Sequence, residues 1–469
     1  MSTKVDTVII GAGMSGLAAG IRLSMYNKKV LIVEKHTITG GLNSYYARGK
    51  RKFDVGLHAL TNFVSPDDRG RPFNKLMKQL RIPLSDFKLT PQNYSLIQFP
   101  DETLKFTNDI EFLTEEIREK FPSEIDGFMA LLTHIRDFNE VNLTNETVMA
   151  KDVVRNFIKN PSLIEMIFCP LLIYGSAWEN DMDFSQFVIM FKSIFLEGFG
   201  RPEGGVRTII DLLLKRLEET GGSILFKKEV TRILTKDGKV TGVELNGSEI
   251  LECDSVLSSM GLPETMKALE DQTSYSPRVG NLSFTESILI TDKKPRDLGV
   301  DATIIFYNNR PEYLYQKPQT LFDSQSAVVC FPNNFKYDQF RDDSEEGVMR
   351  VTNIANFDLW NHELSLSKEN YKAKKDLVFE ESKRILKNCG LKDGYNINFK
   401  DIFTPTTIKR YTGHFGGTVY GSIDKTRNGT TPVKGLYICG TDQGFLGIVG
   451  SMLSGISMAN LHVLQGSSQ

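Results

Sequence analysis

Val5 to Glu34 reads VDTVIIGAGMSGLAAGIRLSMYNKKVLIVE, and this stretch decides the fold. The apolar residues Val5, Val8, Ile9 and Ile10 predict a strand, Gly11-Ala12-Gly13-Met14-Ser15-Gly16 a tight turn, Leu17 to Met25 a helix, and Val30 to Val33 a second strand closing on Glu34. Each part suits a bound dinucleotide. Gly11 permits the turn, Gly13 lets backbone approach a pyrophosphate, and Gly16 lets helix and strand pack closely. The helix start offers unpaired N–H groups and the positive end of a dipole to phosphates. Glu34, roughly 20 residues after the glycines, is placed to accept hydrogen bonds from a ribose 2′-hydroxyl, and its charge disfavours a 2′-phosphate. The competing reading is a glycine turn in an unrelated α/β domain. Agreement of both strands, the helix and the terminal acid favours the dinucleotide.

The 469 residues leave room for two or three domains and a large core. With 56 Lys and Arg against 58 Asp and Glu the net charge is −2, so nothing draws the chain in bulk toward nucleic acid. Five cysteines lie far apart and form no CxxC, which fits reduced thiols and offers no zinc spacing. The first strand begins at about Val5 with no leader pattern before it, so the expectation is cytosolic synthesis without export. Met166 to Trp178 is apolar but too short to span a bilayer, and it contains Pro170 and Gly175.

Outward from the fingerprint, Gly40-Gly41 would let backbone pass near the cofactor, with Leu42, Asn43 and Ser44 continuing the contact. From about Asp67 to Asn160 the chain reads mostly as helices with polar connections, and Pro161 starts a unit richer in Phe, Ile, Leu and Met. In it Phe184, Phe187, Val188, Phe191, Phe195 and Phe199 recur at helical spacing, as a buried core helix, an apolar tunnel wall or a patch dipping into a membrane surface would require. A helix over Val206 to Glu219 ends at Gly221-Gly222. Strands follow at 223–226, 229–234, 240–245 and 254–258, with Asp237-Gly238 and Asn246-Gly247 as hairpin turns. Residues 280–395 mix strands at 283–290, 303–307 and 327–331 with a helix over 368–388. From Gly435 onward Asp442 is the only charged side chain, and it needs a partner because burying it alone is costly. A sugar-alcohol hydroxyl would be one.

The fingerprint with Glu34, Gly40-Gly41, FDVGLHAL at 53–60, PEGG at 202–205 with the following EVTRI, TPTTIKRYTGHFGGTVYG at 404–421, and GLYICGTDQGFLGIVGSMLSGI from 435 run through the whole chain in order. Together they resemble the flavin amine oxidase superfamily, and within it the branch of phytoene desaturases, carotenoid cis-trans isomerases and retinol saturases. The resemblance implies an α/β fold: a Rossmann-type FAD-binding domain from 1–66, 202–280 and 397–469, and an inserted mixed α+β substrate domain from 67–201 and 281–396. A region near 161–200 is then the candidate for membrane contact. FAD is the implied cofactor, with Gly11, Gly13, Met14, Ser15 and Gly16 at its pyrophosphate, Glu34 and Lys35 at its ribose, and Val230 at its adenine. Gly41, Leu42 and Asn43 would pass along it, and Asp442 would bind the ribityl chain after Gly440. Gly447, Ile448 and Val449 would meet the isoalloxazine, and Leu57, His58 and Ala59 would line its substrate side. Leu42 departs from the arginine common in amine oxidases, so phosphate neutralisation rests more on backbone amides.

His58 is the candidate proton donor, against a structural histidine bonded to backbone, and Arg410 and His414 lie in a segment resembling a substrate-side loop. The implied activity is desaturation, saturation or cis-trans isomerisation of an apolar carotenoid-like or isoprenoid polyene, with amine oxidation or non-catalytic isoprenoid binding as alternatives. The expected location is cytoplasmic, peripheral on the inner membrane face if substrate is collected there. With no second strand-associated GxGxxG, electrons would pass to or from a quinone, oxygen or a docked nicotinamide.

Overall fold

The computed structural model describes residues 4–465 apart from 66, 67, 69, 143, 272 and 338–344, so the expected boundary at 66–67 lies outside the described residues. The fingerprint folds as its pattern predicts: β1 (Val5–Ile10), the helix Met14–Ser24 and β2 (Val30–Glu34). Next come the hairpin β3 (Tyr45–Arg48) and β4 (Arg51–Asp54), then β5 (Leu89–Pro91), β6 (Ser95–Gln98), β7 (Thr103–Phe106) and, after several helices, β8 (Gly200–Pro202). β9 (Ser223–Phe226), β10 (Val230–Lys236), β11 (Lys239–Leu245) and β12 (Glu249–Ser258) return the chain to the first unit. β13 (Ser283–Thr291), β14 (Ile304–Asn308), β15 (Ser326–Cys330), β16 (Gly347–Ala355) and β17 (Ile397–Phe403) follow, and β18 (Leu436–Ile438) precedes the helix Gly447–Met458.

Two seven-stranded sheets result. The first has the order β10-β11-β12-β1-β2-β9, with β18 parallel to the end of β12. β1 lies between two parallel neighbours, and Val8 and Ile9 are fully buried, as a strand covered on both faces requires. The second has the order β17-β13-β16-β15-β14-β6-β7. β17 is a correction to the sequence reading, which placed 397–403 with the nucleotide-binding segments; its seven residues pair antiparallel with β13 in the other sheet.

The Phe-rich stretch takes the core reading. Phe184, Phe187, Val188, Phe191, Phe195 and Phe199 are at most 4% exposed, and the rings of Phe184, Phe187, Phe191 and Phe195 contact one another in succession along the helix Phe184–Phe191 and the turn after it. The stripe therefore presents no face to a membrane surface. Residues 447–464 are long and apolar enough to cross a bilayer by composition, but half of that segment is buried and it packs on Met14–Ser24.

That last packing joins the two ends of the chain. A Cβ on Gly16 would lie 2.0 Å from the Gly11 carbonyl, and a Cβ on Gly455 would lie 2.0 Å from the Ser15 carbonyl. Strand, first helix and last helix thus meet backbone to backbone, and the Gly440 N–H donates to Ser454 Oγ (2.8 Å) to hold the turn between β18 and the last helix. Helix propensity alone would make Gly455→Ala stabilising by about 1 kcal/mol. The clash reverses the sign, so we expect Gly455→Ala to destabilise by about 1–3 kcal/mol, read as a lowered thermal midpoint; a raised midpoint would show that the helices do not touch there.

Candidate active site

A cavity of about 1370 Å³ lies between the two sheets. Its dinucleotide end is built by the fingerprint. Gly11, Gly13, Met14 and Ser15 border it, and the helix Met14–Ser24 starts at Gly13 with no capping side chain. Gly16 does not border it; its place is the packing contact with Gly11. The Gly40 N–H donates to the Ala12 carbonyl (2.9 Å), which lays the 40–43 turn beside the glycine turn, and Gly41, Leu42 and Asn43 border the cavity. Glu34, 7% exposed, accepts from the Ala12 N–H on Oε2 (2.8 Å) and from the His36 N–H on Oε1 (2.9 Å). Lys35 and Val230 line the same end.

Gly440, Gly447, Ile448 and Val449 also border the cavity, and the helix Gly447–Met458 begins there without a capping side chain. Two helix amino termini, each with free N–H groups and the positive end of a dipole, therefore open into one space. Asp442 does not face it. Its carboxylate accepts from the Leu262 N–H (2.6 Å), the Ser422 N–H (2.8 Å) and Lys425 Nζ (3.0 Å), a partner set that meets the cost of burying it. The neighbouring Thr441 borders the cavity, and Asp442, the residue expected at the ribityl chain, does not.

The far wall carries a buried polar corner. His58 Nε2 lies 2.9 Å from Glu286 Oε1 and 3.1 Å from Thr352 Oγ1. Arg350 grips the same carboxylate with Nε to Oε1 (2.6 Å) and Nη2 to Oε2 (2.8 Å). Sheet register makes this corner. Glu286 lies opposite Thr352 and Ile288 opposite Arg350, so Glu286, Thr352 and Arg350 share one face of the β13–β16 pair. Arg350 also donates to the carbonyls of Leu57 (2.6 Å) and Val55, and Arg201 donates to those of Leu57 (3.1 Å) and His58 (3.1 Å) while pairing with Asp54. These bonds seat His58 and Ala59 at the cavity. They also correct Leu57, whose side chain is buried in the core and does not line the space.

Burial raises the Glu286 carboxyl, but Arg350 and His58 outweigh it and bring it to about 2. Burial lowers the His58 pKa despite Glu286. Because the carboxylate only accepts, the single proton of a neutral His58 resides on Nε2 and points at Glu286, leaving the Nδ1 lone pair. In that tautomer the neutral ring carries a lone pair and no proton at Nδ1, whereas the sequence reading took His58 as a candidate proton donor. His414 is buried at the cavity edge, and its Nδ1–H donates to the Thr418 carbonyl (2.9 Å). Arg410 lines the rim but is exposed, with its guanidinium over the Tyr411 ring. Glu286, Thr352 and Arg350 were not singled out in the sequence; a lone charge within each of the strands SFTESILIT and GVMRVTNIA was the signal.

The sequence profile of flavin-containing amine oxidoreductases matches residues 14–461. This chain belongs to that family. It is 26% identical to the prolycopene isomerase of Daucus carota, covering 98% of this chain and 80% of that protein, and 25% identical to the neurosporene-forming phytoene desaturase of Rhodobacter capsulatus, covering 92% and 89%. It is 23% identical to the all-trans-retinol 13,14-reductase of Danio rerio, covering 97% and 86%. Its fold resembles an oxidoreductase from Methanosarcina mazei, with a TM-score of 0.67, 18% identity and 97% and 99% coverage. It also resembles putrescine oxidase, with a TM-score of 0.56, 15% identity and full coverage of both chains.

As a flavin oxidoreductase the chain takes FAD, and the residues fit it. Glu34 uses one acceptor site on each oxygen, and a carboxylate offers about four, so ribose hydroxyls find acceptors there. The two uncapped helix termini suit a pyrophosphate and an electron-rich ring edge. In the polar corner, Glu286→Gln leaves Arg350 buried without its counter-charge, and we expect a loss of about 3–5 kcal/mol in a urea unfolding curve, partly recovered in Glu286→Gln/Arg350→Met. A loss below about 1 kcal/mol would show that the pair is solvated, as exposed ion pairs are.

Proposed function

We propose that this flavin oxidoreductase acts on C–C and C=C bonds of an apolar, carotenoid-like or isoprenoid polyene, by desaturation, saturation or cis-trans isomerisation. The observation that carries the reading is the cavity, whose one end is the dinucleotide cradle and which carries Ile173, Ile189, Phe284 and Val328 beside the neutralised corner at His58. At about 1370 Å³ it exceeds the roughly 300–1,000 Å³ of a usual small-molecule pocket, as a site shared by cofactor and substrate would. The names of the carotenoid and retinoid relatives support the same class.

The flavin supplies two-electron exchange with the substrate carbons. Ile173, Ile189, Phe284 and Val328 give an apolar chain surfaces to lie on and keep water from it. Arg350 keeps Glu286 ionised, Glu286 holds the proton of His58 on Nε2, and Nδ1 is left to accept a proton from a substrate carbon or a hydroxyl. At this corner an ammonium finds no uncommitted carboxylate, because Glu286 is already paired with Arg350.

Co-expression with enzymes that make carotenoid precursors tests the proposal: we expect a polyene altered in double-bond number or geometry, whereas peroxide release from an amine panel with every polyene unchanged would reject it. The acid side of the rate profile tests the role of His58. Burial lowers its pKa, so the neutral ring persists below the usual imidazole value of about 6.5 and activity should fall only beneath that pH. A fall that begins above it would show that the working form of His58 is the cation.

A further inference from the structure

Thr61, Asn62 and Glu197 border the cavity and are joined to one another by hydrogen bonds. Thr61 stands at the start of the last helix, where a Cβ on Gly447 would lie 3.9 Å from Thr61 Oγ1. Its hydroxyl donates to Asn62 Oδ1 (3.2 Å), and Asn62 Nδ2 donates to Glu197 Oε2 (2.8 Å). A carboxylate only accepts, so the acid fixes which way the amide faces. The bonds thus lead from a buried carboxyl to the turn where the isoalloxazine is expected. The backbone is bent to make them. Asn62 has a φ of +61°, and Glu197 follows the π-helical turn Lys192–Leu196. The Asn62 N–H donates to the Ser193 carbonyl (3.0 Å) and the Phe63 N–H to that of Gly198 (3.2 Å), which clamps the two segments together. Left-handed side chains and π turns are both uncommon, and both cluster at working sites.

Glu197 differs from Glu286 in having no cation of its own. It is 9% exposed, and among the described residues its carboxyl makes the Asn62 bond alone, on Oε2. The charges around it are already matched: Lys192 pairs with Glu140 (2.7 Å) and Arg71 with Asp68 (2.9 Å). Burial raises the Glu197 carboxyl above its usual value of 4.5; Asn62 and Arg71 oppose this, and Asp68 and Glu140 add to it. A carboxyl held by one neutral amide and by no counter-ion changes its protonation when the charge beside it changes.

We propose that Glu197 takes up a proton from water as the flavin takes up two electrons, and gives it back as the flavin is reoxidised. Reduction puts negative charge on the ring, and a like charge nearby favours the neutral form of a carboxyl. By linkage the protonated carboxyl favours the reduced ring to the same extent. The two electrons come from whatever reduces the flavin, and the proton forms an O–H bond at Oε1, the oxygen that Asn62 does not hold. The inference rests on FAD lying with its ring at Gly447 to Val449, and it holds whichever substrate is turned over.

The test needs no substrate. The midpoint potential of the FAD-loaded full chain is measured against pH, with dithionite as reductant, beside that of Glu197→Gln. Protons taken by the flavin itself are common to both and cancel. One further proton per two electrons makes the potential of the unaltered chain fall about 30 mV per pH unit more steeply than that of the variant, a tenfold step of a two-electron couple. This steep region should lie above pH 4.5, where burial places the carboxyl. Asn62→Gly keeps the backbone, because glycine accepts a positive φ, and removes the donor that favours the charged carboxyl, so it should move the steep region up by about one pH unit. A purely structural role would alter FAD affinity or the thermal midpoint and leave the slopes equal. Equal slopes in the unaltered chain and Glu197→Gln overturn the proposal. If Glu197→Gln does not fold, Asn62→Gly decides: a steep region that is absent from the unaltered chain, or unmoved in the variant, overturns it.

Discussion

The contact of Gly455 with the Ser15 backbone is the constraint on which the rest depends. Two helices from opposite ends of the chain approach until only a glycine fits between them, and their uncapped amino termini then open side by side into one cavity. Neither terminus alone makes a dinucleotide site. The first supplies the glycine turn and, through β2, the acid Glu34; the second supplies Thr441 and the Gly447–Val449 turn. A side chain at 455 would clash with the Ser15 carbonyl and push the two helices apart.

The second constraint ties the substrate wall to that cradle. Val55 to His58 runs between the two sheets, and its carbonyls are gripped by Arg350 from β16 and Arg201 from β8. Arg350 also neutralises Glu286, so one guanidinium positions the backbone of His58 and fixes the charge state of the residue that orients its ring. The corner at His58 is therefore held in place, and its charges satisfy one another. A corner so neutralised suits an apolar substrate better than a charged one.

The parts of this structure that were legible in the sequence are those set by local pattern. The fingerprint, the helix 206–219, the helix 368–388 and the hairpin after Val230 follow from glycine placement and periodicity, because neighbours in sequence decide them. What was not legible depends on register or on partners distant in the chain. Arg350 meets Glu286 only because β13 and β16 pair antiparallel in one particular register, and nothing near either residue specifies it. β17 reads as an ordinary strand, and its sheet is chosen by tertiary packing. Asp442 turns away from the cavity that its sequence reading gave it. In the short turn Thr441–Gln443 successive side chains diverge, and Leu262, Ser422 and Lys425 claim the acid.

Both ends of the chain are expected to hold one FAD, the adenosine half at the beginning and the ring half at the end. A crystal structure of the FAD-loaded protein measures this most directly. We expect the adenosine ribose hydroxyls on Glu34 and the isoalloxazine against Gly447 to Val449, on the side of the cavity that His58 faces. A flavin bound in the reverse direction, or with its ribose away from Glu34, would contradict it.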